Sequence, residues 1–240
     1  MFGRITNGHG EEIDYTCHDA GGDRLAVLGH GVTGNKDRPF VTALAEGLAA
    51  AGVSALRLSF SGNGSSGGRF QDCTISKEVA DLGAVLDAVG DRRAGYIGHS
   101  MGGAVGVIRA SEDERLRWLV SLAGMVHTEA FARREFGGVV PGSGFMWEEE
   151  DCPLSQVFMD DMAAISSVVD RGAAIGVPWL LVHGSEDDVV PPEDSRDIVA
   201  RAEKTTPRLV EIEGADHVFS DGAAAAMVAA VVEWVQESAG

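Results

Sequence analysis

Apolar and polar positions follow two different rhythms along this chain, from about residue 24 onward. Leu25-Ala26-Val27-Leu28 is a short apolar run that ends at Gly29, and it predicts a buried strand. Between Ile75 and Val89 the apolar residues recur at helical spacing up to Gly90, and this segment predicts an amphipathic helix. The same analysis predicts strands at 53–60, 94–98, 118–123, 178–182 and 208–212, and helices at 40–51, 101–110, 193–202 and 223–236.

The order of these elements predicts the architecture. Strands and helices alternate, and the later strands are apolar on both faces, which is typical of a parallel sheet with helices on both sides. The stretch from Ile5 to Cys17 has room for one or two antiparallel edge strands. Residues 125–177 break the alternation with Gly-Gly, Pro-Gly and acidic runs. We therefore predict an α/β fold with a mostly parallel central sheet, in which 125–177 is a small cap insertion within a single domain spanning 1–240.

Composition and charge narrow the classes of partner. The chain has 240 residues, of which 45% are hydrophobic, and this fraction is enough to build a core. Its 19 basic and 37 acidic residues give a net charge of −18. A surface of that sign repels nucleic acid and anionic membranes, because both are bound through Lys and Arg. We expect neither partner, and the sequence leaves the oligomeric state open, a homodimer included.

The cysteines and the hydropathy of the chain indicate in which cellular compartment we expect the protein. Cys17, Cys73 and Cys152 are an odd number of widely spaced residues, so we expect neither a disulfide framework nor a zinc site. No stretch approaches the roughly 20 apolar residues of a membrane helix, and the first residues lack the apolar core of a signal peptide. These observations predict a cytoplasmic protein.

A candidate nucleophile stands between a predicted strand and a predicted helix. Gly98-His99-Ser100-Met101-Gly102 has the form G-x-S-x-G at that junction. A nucleophile elbow needs a strand, a sharp turn and a helix, because the turn lifts the serine hydroxyl clear of the backbone at a helix N-terminus. The flanking glycines permit the strand and the helix to pack closely. Ser100 is therefore the candidate nucleophile, and an ordinary glycine-rich turn is the alternative.

A candidate general base follows the last predicted strand. Such a base has to reach the nucleophile from a loop at the same edge of the sheet, and His217, in Gly214-Ala215-Asp216-His217, has that position. His30, His99 and His183 also lie at strand ends beside glycine and compete for the role. His99 directly precedes Ser100, and adjacent side chains on a sharp turn point apart. We therefore favour His217.

An acid that would orient the imidazole is expected in the turn after the predicted strand 178–182. Glu186, Asp187 and Asp188 follow one another in that turn. Local chemistry does not separate these three carboxylates, and a solvated acidic turn is the alternative.

The loop after the first predicted parallel strand supplies a candidate oxyanion hole. Its sequence is His30-Gly31-Val32-Thr33-Gly34. Acyl transfer places negative charge on a carbonyl oxygen, which two backbone N–H groups can stabilise. We expect one from Val32 and the other from Met101, directly after the candidate nucleophile. Gly31 and Gly34 let this backbone approach a substrate closely.

With these motifs in place, the sequence resembles the serine α/β-hydrolase family over about residues 24–238. Gly184-x-x-Asp187-x-Val189-Val190-Pro191 is similar to the acid loop of that family, and this resemblance selects Asp187. Gly214-x-x-His217 is similar to its base loop. The chain order Ser100, Asp187, His217 is the nucleophile–acid–base order of the family.

Two further segments refine the resemblance. The segment 57–67 is similar to the family's R-x-D-x-R-G-x-G-x-S-x-G sequence, with Ser59 and Ser61 as departures that put no catalytic residue in doubt. The loop 30–37 resembles the oxyanion loop of small bacterial esterases, including cinnamoyl and feruloyl esterases. Serine aminopeptidase-like hydrolases have the same motifs.

The resemblance implies the fold and the activity of an α/β hydrolase. It implies cleavage of a small-molecule carboxylic ester through an acyl-enzyme on Ser100, with no metal and no organic cofactor. Thioester hydrolysis and amide or peptide hydrolysis by the same residues are alternatives, and so is a ligand-binding protein that has the fold without turnover. In the insertion, Phe145 and Trp147 are candidate substrate-binding residues; the alternative is that the aromatic residues there pack the insertion onto the sheet.

Overall fold

A central sheet of seven strands organises the computed structural model, which describes residues 2–238. In chain order the strands of the molecule are β1 (Ile5–Thr6), β2 (Glu12–Ile13), β3 (Tyr15–His18), β4 (Arg24–Gly29), β5 (Ser54–Leu58), β6 (Arg93–His99), β7 (Leu119–Leu122), β8 (Trp179–Gly184) and β9 (Arg208–Ile212). The order in the sheet is β3-β5-β4-β6-β7-β8-β9. Every neighbouring pair is parallel except β3 with β5, which confirms the predicted mostly parallel sheet.

Helices cover both faces of this sheet, as predicted. They are α1 (Pro39–Ala50), α2 (Ile75–Val89), α3 (Met101–Glu112), α4 (Thr128–Phe136), α5 (Gln156–Ile165), α6 (Pro192–Arg201) and α7 (Ala223–Ser238). Leu48 of α1 and Val231 of α7 belong to the core on one face, and Leu82 of α2 and Val105 of α3 belong to the core on the other. None of the helices within residues 2–238 is long and apolar enough to cross a bilayer.

The bounds of α2 coincide with those predicted from the sequence, and local chemistry explains why. The hydroxyl of Thr74 accepts the N–H of Lys77 at 3.1 Å, which caps the first turn. Gly90 follows the last turn with φ 63°, a conformation that favours glycine. Start and stop signals therefore lie within the segment itself.

The N-terminal segment differs in part from its prediction as edge strands. β3 is an antiparallel edge strand, as expected, but β1 and β2 pair only with each other, in a separate hairpin. The amide of Asn7, in the turn of this hairpin, donates to Asp81 of α2 at 2.8 Å. Ile5 and Ile13 are buried in the core that α2 shares. Side-chain contacts with α2 and a backbone hydrogen bond from Gly67 to Glu12 at 2.7 Å thus hold the hairpin without the edge of the central sheet.

The segment between β7 and β8 contains α4, α5 and two 3₁₀ turns (Met146–Glu148 and Val169–Ala174). Phe131, Phe136 and Phe158 are buried and pack it onto the core that contains α2 and α3. At its start, the carboxylate of Asp194 in α6 accepts the N–H of Val126 at 2.8 Å. The insertion is thus attached to the sheet by buried aromatic rings and by a hydrogen bond to a buried acid.

Candidate active site

Parallel strands end at one edge of a sheet, and the residues singled out in the sequence follow those ends. Ser100 comes after β6, the loop with Val32 comes after β4, and Asp187 and His217 lie in the loops after β8 and β9. Residues that are far apart in sequence are therefore brought to one edge by the topology of the sheet.

Ser100 occupies a sharp turn between β6 and α3. Its backbone has φ 54° and ψ −119°, a strained conformation for a residue with a side chain. Its N–H donates to Leu122 at 2.9 Å, and its carbonyl accepts from Gly103 at 2.8 Å. A Cβ on Gly98 would lie 2.1 Å from the carbonyl oxygen of Gly102, so the close packing expected at this turn requires glycine. This is the strand–turn–helix arrangement that the G-x-S-x-G sequence predicted.

His217 and Asp187 are in direct contact. The Nδ1 atom of His217 donates to Oδ2 of Asp187 at 2.8 Å. Both residues are buried. The Nε2 atom of His217 is thus left to interact with another group, and His217 and Ser100 line the same pocket. A carboxylate on Nδ1 fixes the ring tautomer in which Nε2 accepts a proton.

The acid turn presents only one of its three carboxylates to the interior. Asp187 is buried, whereas Glu186 and Asp188 are exposed. Oδ1 of Asp187 accepts the N–H groups of Val189 at 3.0 Å and Val190 at 2.8 Å. Burial by itself raises the pKa of Asp187, but the hydrogen bonds from histidine and from the backbone together hold this pKa well below its usual range. Asp187 is therefore ionised at neutral pH.

The three competing histidines are engaged in other hydrogen bonds. His30 accepts the N–H of Phe60 at Nε2 (3.0 Å) and donates from Nδ1 to the carbonyl of Gly31 (2.8 Å). His99 donates from Nε2 to the carbonyl of His217 at 2.9 Å. Burial is the main cause that lowers the pKa of His30 to about 4 and that of His99 to about 3. Both imidazole rings are therefore neutral at pH 7, and their hydrogen bonds hold backbone groups of the surrounding loops in place.

His183 is buried beneath the acid turn. Its ring bonds Ser195 of α6 and the carbonyl of Val190, and it lies against Asp187. Unlike His217, it does not line the pocket. Of the candidate bases, only His217 therefore combines a carboxylate at Nδ1 with access to the pocket.

The loop after β4 lies against the elbow. Val32 lines the same pocket as Ser100, and within residues 2–238 the N–H of Val32 donates to no other group. Met101 is the first residue of α3, where N–H groups have no intrahelical acceptor. The N–H groups expected to form an oxyanion hole are thus both left without an acceptor in the described chain.

A pocket of about 300 Å³ opens over Ser100. Trp147 lines it, whereas Phe145 is not among the lining residues and pairs instead with Pro153 in an isolated bridge. The backbone of Trp147 has φ 48°, and its indole N–H donates to Glu135 at 3.1 Å. Of the two aromatic candidates in the insertion, the structure thus brings only Trp147 to the pocket.

Several pocket residues were not singled out from the sequence. Phe40 and Arg38 come from the start of α1, Val218 follows His217, and Glu149 comes from an acidic run of the insertion. Phe40 also packs its ring against that of His99, with centroids 4.7 Å apart. The sequence signal that could have identified Phe40 as a pocket residue is an aromatic side chain at the start of a helix, close to the glycine-rich loop.

The cysteines are free thiols within the described chain. Burial raises the pKa of Cys73 to about 12, and burial together with a hydrogen bond to Glu149 raises that of Cys152 to about 11. A thiol with a raised pKa is a poor nucleophile at neutral pH. Neither residue competes with Ser100 as a nucleophile.

Two family profiles match this chain. The profile described as alpha/beta hydrolase fold matches residues 27–151, and the profile described as serine aminopeptidase, S33, matches residues 151–220. The two ranges together include the elbow, the acid turn and the base loop.

The individual relatives have low sequence identity to this chain but match most of its length. A protein of Azorhizobium caulinodans, provisionally named carbamate hydrolase RutD, is 27% identical over 88% of this chain and 91% of its own length. The mitochondrial palmitoyl-protein thioesterase ABHD10 of Bos taurus is 23% identical over 80% of this chain and 66% of its own length. The solved structure of Est1E from Butyrivibrio proteoclasticus with ferulic acid bound is 25% identical, covers 98% of both chains and has a TM-score of 0.81.

Proposed function

The chain belongs to the alpha/beta hydrolase fold family, and on that premise we propose that it is a serine hydrolase that cleaves a carboxylic ester of a small molecule. In this proposal Ser100 is the nucleophile, His217 the general base and Asp187 the acid that orients it. The N–H groups of Val32 and Met101 form the oxyanion hole.

The first half-reaction forms an acyl-enzyme. Oγ of Ser100 attacks the ester carbonyl while Nε2 of His217 takes its proton. The oxygen of the tetrahedral intermediate becomes negative and accepts hydrogen bonds from Val32 and Met101. The C–O bond to the alcohol then breaks, and His217 returns the proton to the departing oxygen.

The second half-reaction releases the acid. His217 takes a proton from a water molecule, the resulting hydroxide attacks the acyl carbon, and a second tetrahedral intermediate forms in the same hole. As the bond to Oγ breaks, His217 protonates Ser100. Asp187 stays ionised throughout and stabilises the imidazolium that forms in each half-reaction.

One observation carries the proposal. His217 donates to Asp187 at 2.8 Å and at the same time lines the pocket into which the strained turn at Ser100 opens. A structural histidine needs no buried carboxylate at Nδ1, and a structural serine needs no left-handed turn. The unpartnered N–H of Val32 is a further support.

The proposal is tested by hydrolysis of p-nitrophenyl esters, from acetate to longer acyl chains, and of methyl ferulate. Wild type is compared with Ser100→Ala and with Ser143→Ala, which changes an exposed serine in the insertion. We expect wild type and Ser143→Ala to hydrolyse the esters. For Ser100→Ala we expect kcat to be lower by a factor on the order of 10⁶. Turnover that survives in Ser100→Ala would overturn the assignment.

Labelling by a fluorophosphonate separates an enzyme from a binding protein. A competent Ser100 is expected to react with the probe even if none of the test esters is a substrate. Failure of both labelling and turnover in the wild type would favour the alternative, a ligand-binding protein that has the fold without catalysis.

Thioester hydrolysis is the second candidate, because one relative is named a palmitoyl-protein thioesterase. The same residues can attack a thioester carbonyl, and the leaving thiol needs less protonation than an alcohol. Palmitoyl and acetyl thioesters belong in the assay beside the matched oxygen esters. A higher kcat/KM for the thioester of a given acyl group would make this candidate the main one.

The proposal also includes the cellular compartment, the domain organisation and the partners of the enzyme. We propose a cytoplasmic enzyme whose single domain includes 125–177 as a cap, with a small-molecule substrate and no nucleic-acid or membrane partner. The free thiols of Cys17, Cys73 and Cys152 support a reducing compartment. The surplus of 37 acidic over 19 basic residues supports the exclusion of polyanionic partners.

A further inference from the structure

His183 is a second imidazole on the carboxylate of Asp187. Its Nε2 atom lies 3.2 Å from Oδ2 of Asp187 and 2.9 Å from the carbonyl oxygen of Val190. Its Nδ1 atom lies 2.7 Å from Oγ of Ser195 in α6. The side chains of His183 and Asp187 are completely buried, at 0% exposed. The ring therefore connects the end of β8, the acid turn and α6 in a site without solvent.

The partners of His183 fix where its proton lies. The carboxylate and the carbonyl at Nε2 are acceptors only, so Nε2 carries a hydrogen. The hydroxyl of Ser195 can donate to Nδ1, which completes the hydrogen bonds of a neutral ring. His183 thus donates its single Nε2–H to the carbonyl of Val190 at 2.9 Å, with Oδ2 of Asp187 as a second, longer contact at 3.2 Å, and the ring needs no positive charge in the interior.

Asp187 is held on all sides by donors. Oδ1 accepts from Val189 and Val190, while Oδ2 accepts from His217 at 2.8 Å and faces Nε2 of His183 at 3.2 Å. The backbone donors fix one oxygen. The second oxygen, on which the orientation of His217 depends, has only the two imidazoles as partners among the described residues.

We propose that His183 is a positioning residue for the pair Asp187–His217: its Nε2–H holds Oδ2 of Asp187 in the place where that atom meets His217. This inference rests on the proposed function, since it concerns the acid and the base assigned there. His183 touches neither the pocket nor the expected substrate, so it acts only through Asp187.

Both His183 and His217 lie against Oδ2 of Asp187, so a change at His183 is expected to affect His217. A donor on Oδ2 competes with His217 for the negative charge of Asp187. Removal of that donor leaves more of the negative charge of Asp187 to the N–H of His217, which favours the imidazolium form of His217. The same removal lets the carboxylate turn about its side-chain bonds, so the base is less well oriented and kcat falls.

Other groups around the pair do not supply this interaction. His99 lies against the ring of His217, with centroids 4.7 Å apart, but its Nε2–H is donated to the carbonyl of His217, and within residues 2–238 no hydrogen bond joins its ring to Asp187. Asp216 is occupied by Ser220 in its own loop. On β9, Glu211 lies opposite His183 and is paired with Arg196 at 2.8 Å.

The experiment compares His183→Leu, which has no donor, with His183→Gln, whose side-chain amide can present an N–H near the place of Nε2. His127→Leu is the matched control, because the side chain of His127 is half-exposed and its ring bonds the exposed Asp197 at 2.9 Å, away from the pocket. The readouts are kcat and KM for p-nitrophenyl acetate against pH, and the titration of His217 followed by NMR, with its signal assigned by loss in His217→Gln.

For His183→Leu we expect kcat to fall about tenfold or more, which corresponds to one lost hydrogen bond to a charged group, with KM unchanged. We expect the NMR titration of His217 to move to higher pH. His183→Gln should restore most of kcat and the original midpoint, and His127→Leu should resemble wild type.

Two results would overturn the inference. One is a His183→Leu variant with wild-type kcat and midpoint. The other is an equal loss of kcat in His183→Leu and His183→Gln with an unchanged midpoint, because His183 would then only support the fold. The NMR titration needs no substrate, so it decides the inference even if the wild type hydrolyses no ester and the proposed function fails.

Discussion

Gly31 lies directly against Ser100. A Cβ atom on Gly31 would be 2.6 Å from Cβ of Ser100 and 3.1 Å from its Oγ. The loop after β4 can therefore approach the proposed nucleophile only because residue 31 has no side chain. In the proposed oxyanion hole, this close approach is what lets the N–H of Val32 serve the same carbonyl oxygen as the N–H of Met101.

Gly31→Ala is expected to lower kcat by about 10²–10³-fold, the loss typical of a missing oxyanion donor, because the added methyl group pushes Val32 away from Ser100. Gly8→Ala is the control, since a Cβ at Gly8 would meet nothing within 4 Å. The check is p-nitrophenyl acetate hydrolysis together with the melting temperature. A Gly31→Ala enzyme with unaltered kcat would refute a role of this loop in the oxyanion hole.

The acid turn offers a matched pair of substitutions. Asp187→Asn is expected to reduce kcat by about 10³–10⁴-fold, because an amide cannot hold the required tautomer of His217 or stabilise its imidazolium. Asp188 is the next residue in the chain and its side chain is exposed, so Asp188→Asn should leave kcat close to that of wild type. Steady-state kinetics of the two variants decide the assignment, and equal losses would contradict it.

The two aromatic residues of the insertion are expected to behave differently. Trp147→Ala should raise KM for esters with large acyl or alcohol groups several-fold and change KM for the acetate little, because Trp147 lines the pocket. Phe145→Ala should change neither, although both residues are about equally exposed, at 39% for Trp147 and 40% for Phe145. A larger effect at Phe145 would mean that substrate approaches over a different surface.

Glu78 is expected to make the stability of the fold depend on pH. It is buried on α2 beside a small cavity behind Val32 and Met101, and neither carboxyl oxygen has a partner among the described residues. Burial, followed by the negative charges of Asp81 and Asp161, raises the pKa of Glu78 well above its ordinary value of 4.5. Between pH 4.5 and the raised pKa, the folded chain keeps a proton that the unfolded chain has released.

The free energy of unfolding should therefore fall across that window, by about 1.4 kcal/mol per pH unit from this group. Glu78→Gln has no proton to lose, so its stability relative to wild type should increase with pH above 4.5 and be constant below. Urea denaturation from pH 4 to pH 8 measures the difference, with exposed Glu186→Gln as the control. A constant difference at every pH would show that folding leaves this carboxyl group's pKa unchanged.

Much of the architecture was predictable because its signals are local. The helix Ile75–Val89 and the strand Arg208–Ile212 have the predicted bounds, and the alternation of such elements implied the parallel sheet. The hairpin of β1 and β2 was not predictable in the same way. Two-residue strands contain no periodic pattern, and the hydrogen bond from Asn7 that anchors them to Asp81 spans 74 positions of sequence.

For the candidate site, the sequence by itself determined the residue types and their order: a serine in a glycine-rich strand–helix turn, an acidic turn and a histidine loop, each following a strand. These signals lie within a few residues, where steric needs of a sharp turn restrict the choice. The likeness of residues 184–191 to the family's acid loop also selected Asp187. Only the tertiary structure decided that Trp147 and not Phe145 reaches the pocket, and that Nε2 of His183 lies 3.2 Å from Oδ2 of Asp187. Those outcomes depend on the direction of single side chains, which contacts between distant segments fix and no local pattern encodes.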